Sequence, residues 1–75
     1  MNSQPDDAIR VLEQAVNLNP ANGQNYYYLA EAWLMKGNMT QAREFNRLAA
    51  LTVEKKAEWT VRVLEQQERI NTIFR

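Results

Sequence analysis

A repeat with a period of 34 residues constrains the fold more than any other feature of this sequence. Ala8 and Ala42 are 34 residues apart, and so are Ala15 and Ala49. The turn-forming segment LNPANG lies between the members of each pair. Because apolar residues recur three and four positions apart around these alanines, each copy predicts an amphipathic helix. A period of this length accommodates two antiparallel helices, so the sequence predicts an all-α fold of helix-turn-helix repeats.

The first half of the chain contains clear signals for two helices. Pro5 suits the first turn of a helix over residues 5–18, because its missing N–H costs nothing there. Pro20 ends this helix, since the residue before a proline is disfavoured in the helical conformation. Asn22 is expected to cap the second helix, and Gly37 to close it in the left-handed conformation.

The second half of the chain is less clearly divided. Asn38 is expected to cap a third helix, with the Gln41 side chain bonding back as in a capping box. No Gly or Pro follows Gly37. We place a break at residues 53–56, and the alternative is one continuous helix to the end of the chain. The fourth helix, over residues 57–74, carries an apolar stripe that two glutamines interrupt: Trp59, Val63, Gln66, Gln67, Ile70 and Phe74.

Residues 23–53 resemble a repeat of the tetratricopeptide family. The match covers the family's two aromatic positions, its small residues and its turn: Tyr26, Leu29, Ala30, Trp33, Gly37, Asn38, Ala42, Phe45 and Ala49. Residues 5–18, closed by Pro20, look like the second helix of a preceding repeat. The resemblance implies one domain over residues 1–75, an α-solenoid fragment. It would contain a partial first repeat (5–18), a full repeat (22–53) and a C-terminal capping helix (57–74).

Two positions depart from the family pattern. Asn46 stands where a bulky apolar residue is expected, and Glu54 stands where the closing proline is expected. A polar residue at position 46 argues against the docking of a further repeat. This departure is consistent with a capping helix at the C-terminal end of the array.

The aromatic residues of the segment NYYYLAEAW are interpreted mainly as core. The small side chain of Ala30 allows a close approach of the neighbouring helix, and the large rings pack around that contact. The predicted core comprises Leu12, Tyr26, Leu29, Ala30, Trp33, Ala42, Phe45 and Ala49. A second face of the same helix, with Tyr28, Ala32 and Met35, is expected to pack against the helix over residues 5–18.

The resemblance also implies a binding surface on the remaining face of the second helix, because this face lines a peptide-binding groove in the family. The candidates for contact with a protein or peptide partner are Gln24, Tyr27, Glu31, Leu34 and Met35. The alternatives for these residues are ordinary surface or burial against the terminal helix. Some repeats hold a terminal carboxylate with Lys and Asn here. Tyr27 and Glu31 occupy those places, and Glu31 would repel a carboxylate, so this binding mode is not expected.

Composition excludes several classes of function. The chain has no histidine and no cysteine, which rules out nucleophilic sites and metal sites built on them. Nine basic residues balance nine acidic ones, leaving no surplus for nucleic-acid phosphates. No apolar run approaches the roughly 20 residues of a membrane span. We therefore predict a non-enzymatic interaction module without cofactor or metal. The cellular compartment is left open, and the abrupt start suggests a fragment of a longer protein.

A structural role is the alternative function. Helical repeats bury their faces against neighbours, and about three repeats are usually needed for stability. The outer side of the helix over residues 5–18 and the stripe on the last helix could therefore drive homo-oligomerisation. A swapped dimer would be possible if the third and fourth helices were continuous.

Overall fold

A computed structural model describes residues 4–53 and 57–74 of the protein. These residues form four α-helices and no strand: α1 (Gln4–Leu18), α2 (Gly23–Lys36), α3 (Met39–Thr52) and α4 (Ala57–Phe74). The predicted all-α class is therefore confirmed. Val53 is extended, with φ −65° and ψ 142°, so α3 ends at Thr52. This end lies at the start of the break predicted at residues 53–56. Residues 54–56, including Glu54, lie outside the described residues.

The predicted helix caps of α2 and α3 are confirmed. The Asn22 side chain accepts a hydrogen bond from the backbone N–H of Gln24 at 3.1 Å. Gly37 closes α2 with φ 82°, the left-handed conformation that favours glycine. Asn38 accepts from the backbone N–H of Gln41 at 3.1 Å. The reciprocal bond expected from the Gln41 side chain is absent from the described part of the chain.

Small residues bring the backbones of α2 and α3 close together. Ala30 of α2 and the two alanines Ala42 and Ala49 of α3 have no exposed surface. At the start of α2, a Cβ atom on Gly23 would lie 2.3 Å from the backbone nitrogen of Val53. Such a distance is well inside van der Waals contact. The beginning of α2 therefore lies directly against the end of α3, which fixes these two helices as a tight antiparallel pair.

The apolar core lies where α1 and α3 pack on α2. Ile9, Leu29 and Ala32 form its buried centre. Leu12, Val16, Tyr26, Trp33 and Phe45 pack around this centre and are partly buried. The rings of Tyr26 and Phe45 are stacked, with centroids 6.4 Å apart. Of the positions predicted as core, four are completely buried and four are partly buried: Leu29, Ala30, Ala42 and Ala49, then Leu12, Tyr26, Trp33 and Phe45.

The second predicted face of α2 packs against α1 only at its centre. Ala32 is buried with Ile9, but Met35 is 70% exposed and Tyr28 is 43% exposed. Tyr28 instead contacts Trp59 of α4, edge to face at 5.9 Å. The expectation that Tyr28 and Met35 pack against α1 is therefore wrong, because α4 provides an aromatic neighbour for Tyr28 and α1 does not cover Met35.

Gly23→Ala is expected to destabilise the protein by about 1–3 kcal/mol, the usual cost of adding a methyl group to a fully packed site. The new methyl group would overlap the backbone of Thr52 and Val53, which cannot rotate away as a side chain can. Urea denaturation followed by circular dichroism measures the change. Gln24→Ala, at an exposed position in the same turn, is the control and should change stability by less than about 0.5 kcal/mol. Equal stability of the two variants would contradict the close contact.

Candidate functional site: the surface shared by α2 and α4

The five candidate residues lie along one side of α2, and we call this side the α2 groove face (Gln24, Tyr27, Glu31, Leu34 and Met35). Gln24 and Met35 are exposed, whereas Tyr27, Glu31 and Leu34 are half-buried. Side chains of α4 contact Tyr27 and Glu31. The middle of the α2 groove face is thus shared with α4, and its two ends are more open.

Three aromatic rings meet between α2 and α4, and we call them the aromatic cluster (Tyr27, Tyr28 and Trp59). Tyr27 and Tyr28 contact each other edge to face at 5.4 Å, and Tyr27 contacts Trp59 in the same way at 5.6 Å. Edge-to-face contacts are favourable because the positive edge of one ring meets the negative face of another. The Arg62 guanidinium lies over the Trp59 ring, 4.9 Å from its centroid, and adds a cation–π contact.

Gln66 of α4 is the polar centre of this surface and is completely buried. Its Nε2 donates to the backbone carbonyl of Tyr27 at 3.0 Å and to Oε2 of Glu31 at 2.8 Å. Its Oε1 accepts from Nδ2 of Asn46 at 2.9 Å. Both hydrogens of the Gln66 amide group and its oxygen are therefore used. One side chain joins α4 to both α2 and α3.

Asn46 completes the buried network from α3. It is 5% exposed, and its Nδ2 also donates to the backbone carbonyl of Val63 at 3.1 Å. The polar residue at a position where the family usually has a bulky apolar one is thus matched by a polar residue on α4. Because a buried amide without partners is costly, this pairing favours the observed docking of α4 over one that leaves the amides unpaired.

Sequence reasoning did not identify Gln66 as a structural residue, although a signal was present. Trp59, Val63, Gln66 and Ile70 follow one another at spacings of four, three and four residues, which places them on one side of a helix. We interpreted Gln66 as an interruption of an apolar stripe. In the structure it lies on the buried side of α4, between Val63 and Ile70, which are 3% and 1% exposed.

Charged groups surround the shared surface. Arg69 of α4 forms an ion pair with Oε2 of Glu31, and Arg62 pairs with Glu58 at 3.2 Å. The pKa of the Tyr27 phenol is raised above its usual value, first by burial and second by the nearby Glu31 carboxylate; Arg69 opposes part of this effect. The surface therefore carries both signs of charge next to the aromatic cluster.

A groove of about 440 Å³ opens between α2 and α4, and we call it the α2–α4 groove. Its walls are formed by Tyr27, Glu31, Glu65, Gln66 and Arg69. These side chains can bind a ligand through hydrogen bonds, charge and aromatic contact.

Within the described residues, no group of three or more carboxylates, histidines or cysteines is placed to hold a metal ion. None of the described helices has the length and apolar character that crossing a membrane requires.

Comparison with known proteins gives one match. The sequence model of a family described as tetratricopeptide repeat matches residues 1–60, which include α1, α2, α3 and the beginning of α4. Neither a search of curated proteins nor a search of solved structures found a significant match.

Gln66→Met is expected to lower the free energy of unfolding by about 1–3 kcal/mol, because it leaves buried polar groups of Tyr27 and Asn46 with fewer partners. Methionine has nearly the same shape as glutamine, so packing changes little. Urea denaturation measures the change. Gln67→Met is the matched control, since Gln67 is the exposed neighbour on the same helix and should shift stability by less than about 0.5 kcal/mol. Equal effects at both positions would rule out the network as a determinant of α4 docking.

A double-mutant cycle tests the contact between α3 and α4 directly. Asn46→Leu and Gln66→Met are each expected to lower the free energy of unfolding. The double variant should lower it by less than the sum of the two single effects. The reason is that removing both partners leaves fewer unpaired polar groups than removing one. Additive effects, measured by the same denaturation experiment, would show that the two amides do not depend on each other.

Proposed function

The chain belongs to the tetratricopeptide repeat family, and from this premise we propose that it binds a protein or peptide partner with the α2 groove face together with the adjoining surface of α4. Members of this family are typically non-catalytic scaffolds for protein–protein interaction. The proposal specifies the side of the molecule that carries this activity and the residues that make the contacts.

The aromatic cluster is the observation that carries the proposal. Its three rings pack against one another, yet Tyr28 keeps 43% of its surface exposed and the other two rings are half-buried. Tyrosine and tryptophan provide large apolar contact area at low cost in side-chain entropy, and both are common at the energetic centres of interfaces. A cluster of this kind at the surface is a suitable anchor for a partner.

The open end of the α2 groove face extends the same surface. Met35 is 70% exposed and Leu34 is half-buried, and both lie on α2 beyond the part that α4 covers. Methionine adapts its shape to different neighbours because its side chain is unbranched and flexible. A partner segment lying along α2 would thus contact the aromatic cluster with one part and Leu34 and Met35 with another.

A second candidate function is self-association through the exposed ends of the helical array. Two large apolar residues of α1 are well exposed, Val11 at 58% and Leu18 at 88%. At the other end of the array Leu51, Val61 and Leu64 are 73%, 51% and 54% exposed. Exposed apolar faces of this kind favour contacts between copies. A swapped form is not proposed, because the extended conformation of Val53 separates α3 from α4.

Selection of a random-peptide display library on the immobilised chain tests the leading proposal. We expect enriched peptides to bind the unmodified chain and Met35→Asp to weaken that binding at least tenfold, because a charge would replace an apolar contact. Fluorescence anisotropy of a labelled enriched peptide measures the affinities. Thr40→Asp is the control, since Thr40 is exposed on α3 and belongs to neither proposed surface. Equal loss in both variants, or no enrichment over the bare support, would reject the α2 groove face as the binding surface.

Sedimentation velocity across a range of concentrations tests the second candidate. Self-association would make the sedimentation coefficient rise with concentration, and Leu18→Lys would reduce that rise because it places a charge on the exposed face of α1. Circular dichroism of the variant confirms that the helices are retained. A single monomeric species at all concentrations would reject self-association and leave the leading proposal unaffected.

A further inference from the structure

We infer that the α2–α4 groove binds a lysine or arginine side chain of the partner. This inference depends on the proposed function and adds the chemistry of one contact. The groove has an aromatic wall at Tyr27 and carboxylates from two helices, Glu31 of α2 and Glu65 of α4. It therefore combines the two kinds of group that attract a cationic side chain, an acceptor with negative charge and an aromatic ring.

The carboxylates of the groove have acceptor capacity left. Gln66 and Arg69 both donate to Oε2 of Glu31, and Oε1 of the same carboxylate accepts no hydrogen bond from the described residues. Glu65 is exposed and forms no ion pair within the described part of the chain. An ionised carboxylate can accept several hydrogen bonds through its two oxygens. An ammonium or guanidinium group in the groove would thus find acceptors on both walls.

The charge of the groove walls also favours a cation. Glu31 and Glu65 contribute two negative charges and Arg69 contributes one positive charge, so the lining residues carry a net charge of −1. Arg62 lies beside the groove, but its charge is matched by Glu58 in an ion pair at 3.2 Å. A partner carboxylate would add to the net negative charge, whereas a lysine or arginine would neutralise it.

The amide hydrogens of Gln66 in the groove are occupied. Both donor hydrogens of Gln66 are used, one by the Tyr27 carbonyl and one by Glu31. Arg69 forms an ion pair with Glu31, and its other N–H groups lie on a side chain that is 53% exposed. A lysine or arginine needs acceptors and no donors, and its aliphatic stem can lie along the Tyr27 ring. The groove provides such acceptors in Glu31 and Glu65 and such a ring in Tyr27.

The residue composition of the peptides selected from the random library provides the test. We expect Lys and Arg to be enriched over Asp and Glu at one position of the selected peptides, relative to the unselected library. A labelled peptide from this selection should bind Glu65→Gln about threefold more weakly, the effect of losing one exposed charge pair. A peptide with norleucine in place of the enriched basic residue should bind Glu65→Gln and the unmodified chain with equal affinity.

Glu13→Gln is the matched control, because it removes one negative charge from α1, which packs on α2 and not on α4. It should leave the affinity unchanged. Enrichment of acidic residues, or equal effects of Glu65→Gln and Glu13→Gln, would overturn the inference. After either of these outcomes, a loss of peptide affinity in Met35→Asp would still support the proposed function. A selection without enrichment over the bare support would overturn both.

Discussion

The close approach of α2 and α3 determines the rest of the structure. Gly23 lies against the backbone of Val53, and Ala30, Ala42 and Ala49 have no exposed surface along the contact. Larger side chains at these positions would separate the two backbones. Because the antiparallel pair is so tight at these positions, the large residues of α2 either pack around the contact, as Tyr26 does against Phe45, or point to its other sides. One of these sides forms the core with α1, and another carries the tyrosines and Glu31 that meet α4.

Buried polar groups then decide how α4 docks on this pair. An apolar helix could slide or rotate on the surface of α2 and α3, since apolar contact has little directional preference. Hydrogen bonds are directional, and those of Gln66 to α2 and α3 are satisfied together in the observed arrangement. The Arg69–Glu31 ion pair lies at the exposed edge of the same network. It contributes less to the docking of α4 than the buried hydrogen bonds do, because water screens exposed charges.

Much of the fold could be predicted from the sequence, because local signals determine it. The prolines, Asn22, Gly37 and Asn38 mark the ends of helices through their own backbone and side-chain chemistry. Two features could not be predicted in this way. The burial of Gln66 depends on Asn46, a partner 20 residues away, so a glutamine in an apolar stripe is interpreted as an interruption. The position of Tyr28 depends on the orientation of Trp59, which no local pattern specifies. The binding role of the α2 groove face rests on family resemblance and stays a prediction.

The order of contacts along the array has a consequence for how the molecule moves. Among the residues that the structure describes, α1 packs on α2 alone, whereas α2 contacts all three other helices. In a linear array each helix is stabilised mainly by its nearest neighbours, so partial unfolding starts most readily at an end. Transient release of α1 would uncover Ile9 and Ala32 while the amide network on the opposite side of α2 stays intact. Backbone amides of α1 should therefore exchange with solvent deuterium through small openings, and those of α2 only when the whole chain unfolds.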